Sequence, residues 1–154
     1  MRRSRLIGWA TALGVAGALA GSSSALGFEG NFDYVGSITG HPLGNVGFKI
    51  AKTASGHRRV AHFTASSLPI TCSDDPATTS TGGYEFGRGM RVVHHSFSGS
   101  GDWIVIALDP TGSVDGTFKD NAHVRGTLKL RGELAGPGTH CHTGELKWHA
   151  GKAL

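Results

Sequence analysis

Cysteine is scarce in this chain: of 154 residues, two are cysteines, Cys72 and Cys141. They are too far apart for a Cys-x-x-Cys motif, which disfavours a redox or thiolate-zinc site. Charged residues (17%) and aromatic residues (8%) are also few, yet hydrophobic residues reach 38%. That share can form one core, so a collagen-like or wholly disordered chain is excluded although 25 residues are glycine. The length allows one domain of ordinary size.

Helical periodicity and enzyme motifs are missing as well. After residue 27 no stretch repeats apolar residues with a helical period, and none is long and apolar enough for a transmembrane helix. The sequence contains no Gly-x-Ser-x-Gly elbow, no His-Glu-x-x-His and no phosphate-binding glycine-rich loop. We therefore expect a domain built of strands that is not an enzyme and needs no cofactor.

What is present begins with a three-part segment at the N-terminus. Three arginines among the first five residues precede an uncharged run over residues 6–20, and small residues follow up to Gly27. This is the order of a secretory signal peptide. The apolar run of 15 residues is shorter than the roughly 20 residues that span a bilayer, which disfavours an uncleaved anchor. We predict a signal helix over residues 1–27 cleaved before Phe28, with cleavage after Ala25 as the alternative, and one domain over residues 28–154.

The formal net charge of +4 belongs mostly to this leader. Residues 1–27 contain three basic residues and no acidic one, so residues 28–154 hold 12 Lys and Arg against 11 Asp and Glu. A strongly basic domain would favour nucleic acid or an anionic membrane as its partner. A nearly neutral domain loses that support. We expect a monomer with no nucleic-acid partner and with an unknown ligand.

Both cysteines lie in the exported part of the chain, where the compartment favours disulfides. The two allow one intramolecular bridge, and we predict that Cys72 and Cys141 form it. Closing a loop of this length stabilises a fold by about 4 kcal/mol in the chain-entropy account. Two free buried thiols or thiolate metal ligands are the alternatives. The bridge and the leader together predict a secreted or extracytoplasmic location, in the periplasm, the cell wall or the medium.

The mature chain consists of short apolar runs between turn residues. Val46, Phe48 and Ile50 alternate with less apolar neighbours, as in a half-buried strand. Other strands are predicted over residues 32–38, 60–65, 68–72, 84–86, 90–97, 103–108, 114–118, 124–130 and 139–150. Turns or loops are predicted over residues 41–45, 54–57, 73–83, 99–102, 109–112 and 119–121. Such frequent turns predict an antiparallel sandwich or barrel of about 8–9 strands, and the sequence does not separate the two.

Three of these segments carry more detailed predictions. The continuous apolar run at 103–108 is expected to be a central strand that is buried on both faces. Residues 114–118 and 124–130 are expected to form a hairpin, with one apolar face and one polar face on the second strand. The polar face consists of Arg125, Thr127, Lys129 and Arg131. The apolar residues of segment 139–150 share one face only if a bulge falls near Gly144.

A set of short motifs runs through most of the mature chain: Val46-x-Phe48, Cys72, Val124-x-Gly126-x-Leu128 and Cys141-x-x-Gly144-x-x-x-Trp148. In these motifs the sequence resembles the uncharacterised small exported β domains of actinobacteria, which have a leader, two cysteines and a late tryptophan. The resemblance implies a bacterial secreted β domain with one disulfide. It implies no catalytic or binding residue.

Histidine is the unusual residue of the mature chain, with nine copies. His140 and His142 flank Cys141 on a predicted strand and would share the face opposite to it. Two imidazoles on one face can hold zinc or copper, with His94 or His95 as a third ligand and His149 as a further candidate. In the competing interpretation, which we favour, Cys141 points to its disulfide and the two flanking histidines point to solvent, with no metal bound.

The remaining candidates are interpreted as structural. His95 is expected to be buried between Val93 and Phe97. The sequence His57-Arg58-Arg59 is expected to be a solvated basic turn. Aspartates that could suggest calcium lack the spacing of a known loop; they are Asp74, Asp75, Asp102 and Asp109. Four aromatic residues are assigned to the core rather than to a sugar-stacking surface, namely Phe48, Phe97, Trp103 and Trp148.

The sequence thus predicts an exported, non-enzymatic β domain that acts as a binding or envelope-associated module. An extracytoplasmic metal-binding domain that uses His140 and His142 is the alternative. A hydrolase with an unrecognised site is the third hypothesis.

Overall fold

The structure is a computed structural model that describes residues 31–73, 78–80, 82–105, 109–135 and 138–154. The regular secondary structure in these residues is β, which confirms the predicted class. The predicted signal helix over residues 1–27 lies outside them. The strands are β1 (Tyr34–Ile38), β2 (His41–Lys52), β3 (Arg58–Ser66), β4 (Pro69–Cys72), β5 (Thr78–Thr79), β6 (Gly83–Phe86), β7 (Met90–Arg91), β8 (Ser96–Ile104), β9 (Thr111–Phe118), β10 (His123–Glu133), β11 (His140–His142) and β12 (Leu146–Lys152).

Eight of these strands close into an antiparallel barrel in the order β1-β2-β3-β6-β8-β9-β10-β12, and β12 pairs again with β1. The short strand β7 continues the path of β6 along β3. In the same way β11 and β12 pair with successive parts of β10. Because the sheet closes on itself, the architecture is a barrel and not a sandwich, the two possibilities that the sequence did not separate. In the described part of the chain no helix is long and apolar enough to span a membrane.

The interior of the barrel is filled with aromatic side chains. Phe48 is fully buried at the centre, and its ring centroid lies 5.0 Å from that of Tyr34, 5.8 Å from that of Phe63 and 6.1 Å from that of Trp148. Small residues make room for these rings: a Cβ on Gly116 would lie 2.3 Å from the Phe97 ring. Eight-stranded barrels are narrow enough to be filled in this way. The four aromatic residues assigned to the core are buried, as predicted.

Two different ends of the barrel follow from the strand register. At one end, called here the disulfide end, β11 leaves the barrel and pairs with β4, which pairs with β5. Buried Leu68 and Leu134 belong to this end, and the Tyr84 hydroxyl donates a hydrogen bond of 2.7 Å to the carbonyl of Leu134. At the opposite end, called here the rim end, lie the turns between β2 and β3, between β7 and β8, and between β9 and β10.

The hairpin of β9 and β10 confirms the sequence prediction most fully. Val124 pairs with Phe118 across the turn, and Leu128 pairs with Val114. Val124, Leu128 and Leu130 are buried, whereas Arg125, Lys129 and Arg131 are exposed. In place of the bulge predicted near Gly144, the chain leaves the sheet over residues 143–145 between β11 and β12, where Gly144 has a φ of 65°.

Several predicted segments differ from the structure. The loop predicted over residues 73–83 contains the short strand β5, Thr78–Thr79. The turn predicted at residues 41–45 is the beginning of β2, and a bulge in the pairing of β1 with β2 accommodates its turn residues. The turn predicted at residues 99–102 lies within β8. The strand predicted over residues 90–97 is interrupted, because His94 and His95 form a two-residue turn between Val93 and Ser96.

The predicted central strand over residues 103–108 is also wrong in its placement. Trp103 and Ile104 are the last residues of β8, and Ile104 is 62% exposed at the outer surface of the barrel. Residues 106–108 lie outside the described residues. The described part of the apolar run, residues 103–105, is therefore not a strand buried on both faces, since the barrel wall has one face toward solvent.

Candidate functional site

The predicted disulfide is present and joins Cys72 of β4 to Cys141 of β11. The two residues are direct cross-strand partners with Cα atoms 4.0 Å apart. The bridge ties the segment after β3 to the segment before β12, at the end where the strands leave the barrel. It is consistent with an extracellular location, where disulfides persist.

The His-x-His pair has the geometry that strand alternation predicts. Cys141 is buried, and His140 and His142 are exposed on the opposite face of β11. His94 and His95 lie in the turn at the rim end, so the proposed third ligands are not brought to this pair. Among the described residues no group of three His, Cys, Asp or Glu side chains could hold a metal ion. The geometry gives the metal-binding alternative no support.

Other histidines have local partners. The His149 ring lies 3.3 Å from the Ser37 hydroxyl on the outer surface. The His62 ring lies 2.8 Å from a carboxylate oxygen of Glu85 on the neighbouring strand. His95, which was predicted to be buried, is exposed, because the chain turns there instead of continuing as a strand. This prediction was wrong.

The basic segment His57-Arg58-Arg59 is only partly a turn. His57 is exposed in the turn, but both arginines belong to β3. The guanidinium carbon of Arg58 lies 5.0 Å from the centroid of the Phe118 ring, as a cation–π contact that covers the core at the rim end. Of the aspartates, Asp102 is exposed in β8 and Asp109 is exposed shortly before β9, and Asp74 and Asp75 lie outside the described residues.

The feature that sequence reasoning missed is a groove on the outer surface of β8, β9, β10 and β11. It opens to solvent, has a volume of about 680 Å³, and is called here the outer groove. That volume is typical of small-molecule sites. The residues that line it are Ser100, Gly101, Thr111, Gly112, Ser113, Lys129, Leu130, Arg131, His142, Gly144 and Glu145.

Strand register arranges the polar groups of the outer groove in two rows. One row runs Ser100, Ser113 and Lys129, which are consecutive cross-strand partners. The other row runs Thr111, Arg131 and His142. Between the rows the backbones of β9 and β10 approach closely at Gly112, where a Cβ would lie 2.0 Å from the carbonyl oxygen of Lys129. Hydroxyl groups and cations are thus presented side by side on the outer surface.

The cations of the groove differ in how they are neutralised. The Lys129 ammonium pairs with the carboxylate of Glu145 at 3.1 Å. Arg131 has no carboxylate within ion-pair distance among the described residues. Thr143 fixes the wall beside it, because its backbone N–H donates to the carbonyl of Leu130 and its hydroxyl accepts from the Leu130 N–H, both at 3.0 Å. The guanidinium of Arg131 is therefore available to an anionic ligand.

Two groups outside the groove have shifted pKa values. Burial raises the pKa of Tyr84, and its hydrogen bond with Ser80 lowers it in part. A side-chain hydrogen bond from His123 lowers the pKa of Asp120, with further help from the backbone N–H of Ala122. Tyr84 is hydrogen-bonded to the Leu134 carbonyl at the disulfide end, and Asp120 accepts hydrogen bonds within the β9–β10 turn. Neither belongs to the outer groove.

A sequence signal for the groove existed on one strand only. The polar face of residues 124–131 predicts Lys129 and Arg131 on the outer surface. The partner row was hidden because residues 99–102 were assigned to a turn. Comparison of the chain with protein families, with curated proteins and with solved structures finds no match.

Proposed function

We propose that this chain is an exported, non-enzymatic binding domain that also associates with the cell envelope, and that its ligand occupies the outer groove. The barrel interior is filled by aromatic rings, so a ligand has to bind on the outside. The observation that carries the proposal is that Arg131, which has no carboxylate partner among the described residues, lies in one groove with the hydroxyl groups of Thr111 and Ser113.

The chemistry of the groove indicates the class of ligand. A guanidinium binds carboxylate or phosphate through two parallel hydrogen bonds. Neighbouring serine and threonine hydroxyls both donate and accept, which suits a ligand with several hydroxyl groups. Aromatic side chains, on which a neutral sugar would stack, are not among the lining residues. We therefore propose a small hydroxylated acid, such as a sugar acid.

The location is part of the proposal. The leader at residues 1–27 supports export, and the Cys72–Cys141 bridge is consistent with an oxidising compartment. The resemblance to small exported actinobacterial β domains points the same way. We propose that the mature domain acts as a monomer outside the cytoplasm.

The test is calorimetric titration of the protein with glucuronate and with glucose. We expect glucuronate to bind and glucose to bind at least tenfold more weakly, since it lacks the carboxylate. Arg131→Gln should lose the glucuronate affinity by about tenfold or more, because a charge-assisted bidentate contact contributes roughly 1.5–3 kcal/mol. Arg125→Gln removes another exposed arginine of the same strand, outside the groove, and should leave the affinity unchanged.

Two results would contradict this function. Equal binding of both sugars by the wild type and by Arg131→Gln would remove the groove from the account. Turnover on a broad hydrolase panel that a single substitution abolishes would show that the protein is an enzyme.

A further inference from the structure

Basic side chains collect at the rim end of the barrel. The strand register places six of them there, called here the basic rim: Lys52, Arg58, Arg59, Arg91, Lys119 and Lys152. Two carboxylates lie at the same end, and both are engaged by the backbone. Asp33 accepts a hydrogen bond from the Ile50 N–H at 2.6 Å, and Asp120 accepts one from the Ala122 N–H at 2.6 Å. The rim therefore carries a surplus of positive charge.

Two pairings within the basic rim bring like charges directly opposite each other. Lys52 is the cross-strand partner of Arg58, and Arg59 is the cross-strand partner of Arg91. Such pairs destabilise a sheet. In the described ranges neither Arg59 nor Arg91 has a carboxylate within ion-pair distance. An external anion would relieve this repulsion.

Acidic side chains lie toward the opposite end. Asp102 is near the end of β8, Asp109 precedes β9, and Glu133 is the last residue of β10, all at the disulfide end. The near-zero net charge of residues 28–154 therefore hides a separation of charge along the barrel axis. In the field of an extended negative surface this separation favours one orientation, with the rim end toward the surface.

The rim end consists of turns between strands, and exposed cations lie beside them: Lys52 precedes the β2–β3 turn and Lys119 is in the β9–β10 turn. Val93, beside the tip of the β7–β8 hairpin, is 47% exposed and can reach the headgroup layer. Single-stranded nucleic acid would use aromatic stacking, and no large exposed hydrophobic side chain of the described residues is aromatic. We propose that the basic rim docks on an anionic phospholipid surface. This proposal names the surface for the envelope association put forward above, and it does not depend on the outer groove.

Vesicle co-sedimentation tests the proposal. The protein should bind vesicles of phosphatidylcholine and phosphatidylglycerol in equal parts, should not bind phosphatidylcholine alone, and should be released as salt is raised. The double variant Arg59→Gln/Arg91→Gln should bind roughly 25-fold more weakly, because each cation near such a surface contributes a factor of roughly five. The control Arg88→Gln/Lys147→Gln removes the same charge from exposed positions on the barrel wall away from the rim turns and should lose less than about twofold.

A second measurement reports the orientation without altering the basic rim. An environment-sensitive fluorophore on a cysteine at Val93→Cys should shift to the blue on anionic vesicles. The same label at Leu43→Cys, which is 70% exposed near the disulfide end, should not shift. Equal loss of binding in the rim variant and the wall control, equal binding to neutral vesicles, or equal shifts of both labels would overturn the proposal. Tighter binding of a single-stranded oligonucleotide than of vesicles would show that the partner is a nucleic acid instead.

Discussion

Three of the four non-glycine residues with positive φ in the described chain are histidines: His62 (50°), His94 (47°) and His95 (66°). Histidine is among the residue types that adopt this left-handed region more readily than most. His62 is at a bulge in β3, where its ring also contacts Glu85. The other two form a tight turn. Such local roles explain part of the high histidine content in terms of backbone conformation.

Substitution of the two residues of the β7–β8 turn should make the protein more stable. A two-residue hairpin turn with positive φ at both positions prefers Asn-Gly. We expect His94→Asn/His95→Gly to raise the free energy of unfolding by about 0.5–1 kcal/mol, because the left-handed conformation then costs less. Urea denaturation measures this. A loss of stability would show that the imidazoles make contacts that the turn needs.

Asp120 should make the stability of the β9–β10 turn depend on acid. Its pKa is lowered from 3.8, so the folded protein favours the charged form more than the unfolded chain does. The resulting stabilisation is present above the unfolded value and is lost as the pH falls through the lowered value. Asp120→Asn should therefore have a lower Tm than wild type at pH 7, and the gap should narrow below about pH 4. A gap that is constant from pH 7 to pH 2 would contradict this.

The close approach at Gly116 should not tolerate a methyl group. Its Cβ would lie 2.3 Å from the Phe97 ring and 2.9 Å from that of Trp148, both buried. Gly116→Ala should cost about 1–3 kcal/mol through overpacking. Gly151→Ala is the matched control, since its Cβ would have a single neighbour, the Ala122 carbonyl oxygen at 3.9 Å. Thermal unfolding should place this control within about 0.5 kcal/mol of wild type.

At the scale of elements, the disulfide joins two short strands that could not form a stable pair alone. β4 has four residues and β11 has three. Their bridge closes a chain segment with a sequence separation of 69 and holds β11 against the last part of β10. His142, in the wall of the outer groove, depends on this placement.

Removal of the bridge should affect stability and binding together. We expect Cys72→Ala/Cys141→Ala to lose about 4 kcal/mol in urea denaturation, because the unfolded chain regains the freedom of a long loop. Reduction of the wild type should give the same stability. The variant should also bind glucuronate more weakly, at a temperature where it is folded, since β11 is no longer held. Unchanged stability would mean that β4 and β11 stay paired through their other contacts.

The sequence predicts a strand well where the alternation of apolar and polar residues continues across residue types that also form turns. Residues 124–130 have a strict alternation, and β10 follows it. Residues 99–102 contain two glycines, which normally mark a turn, but Gly99 lies in β8 because Phe86 and Met90 occupy the space that its side chain would need. A packing demand from distant residues is invisible in local sequence. The outer groove was missed for the same reason, because half of it lies on β8.

At the scale of the whole molecule, totals such as the net charge and the number of strands do not show how charges and strands are arranged in the fold. The net charge of residues 28–154 argues against an anionic partner, yet the fold collects Arg58, Arg59 and Arg91 at one end. The strand count, in turn, does not distinguish a sandwich from a barrel. Closure through the pairing of β12 with β1 forms the barrel, and the buried aromatic rings fill its interior.

The central claim is that the filled barrel binds its ligand on the outside, and the two buried tryptophans report on it. The indole nitrogens of Trp103 and Trp148 are buried and have no hydrogen-bond partner in the described structure, so ligand entry into the core would change their signals. In an NMR titration with glucuronate, we predict shifts of the backbone amides of Gly112, Arg131 and His142, while both indole N–H signals stay in place. Shifts of the indole signals without shifts at the outer groove would contradict the account.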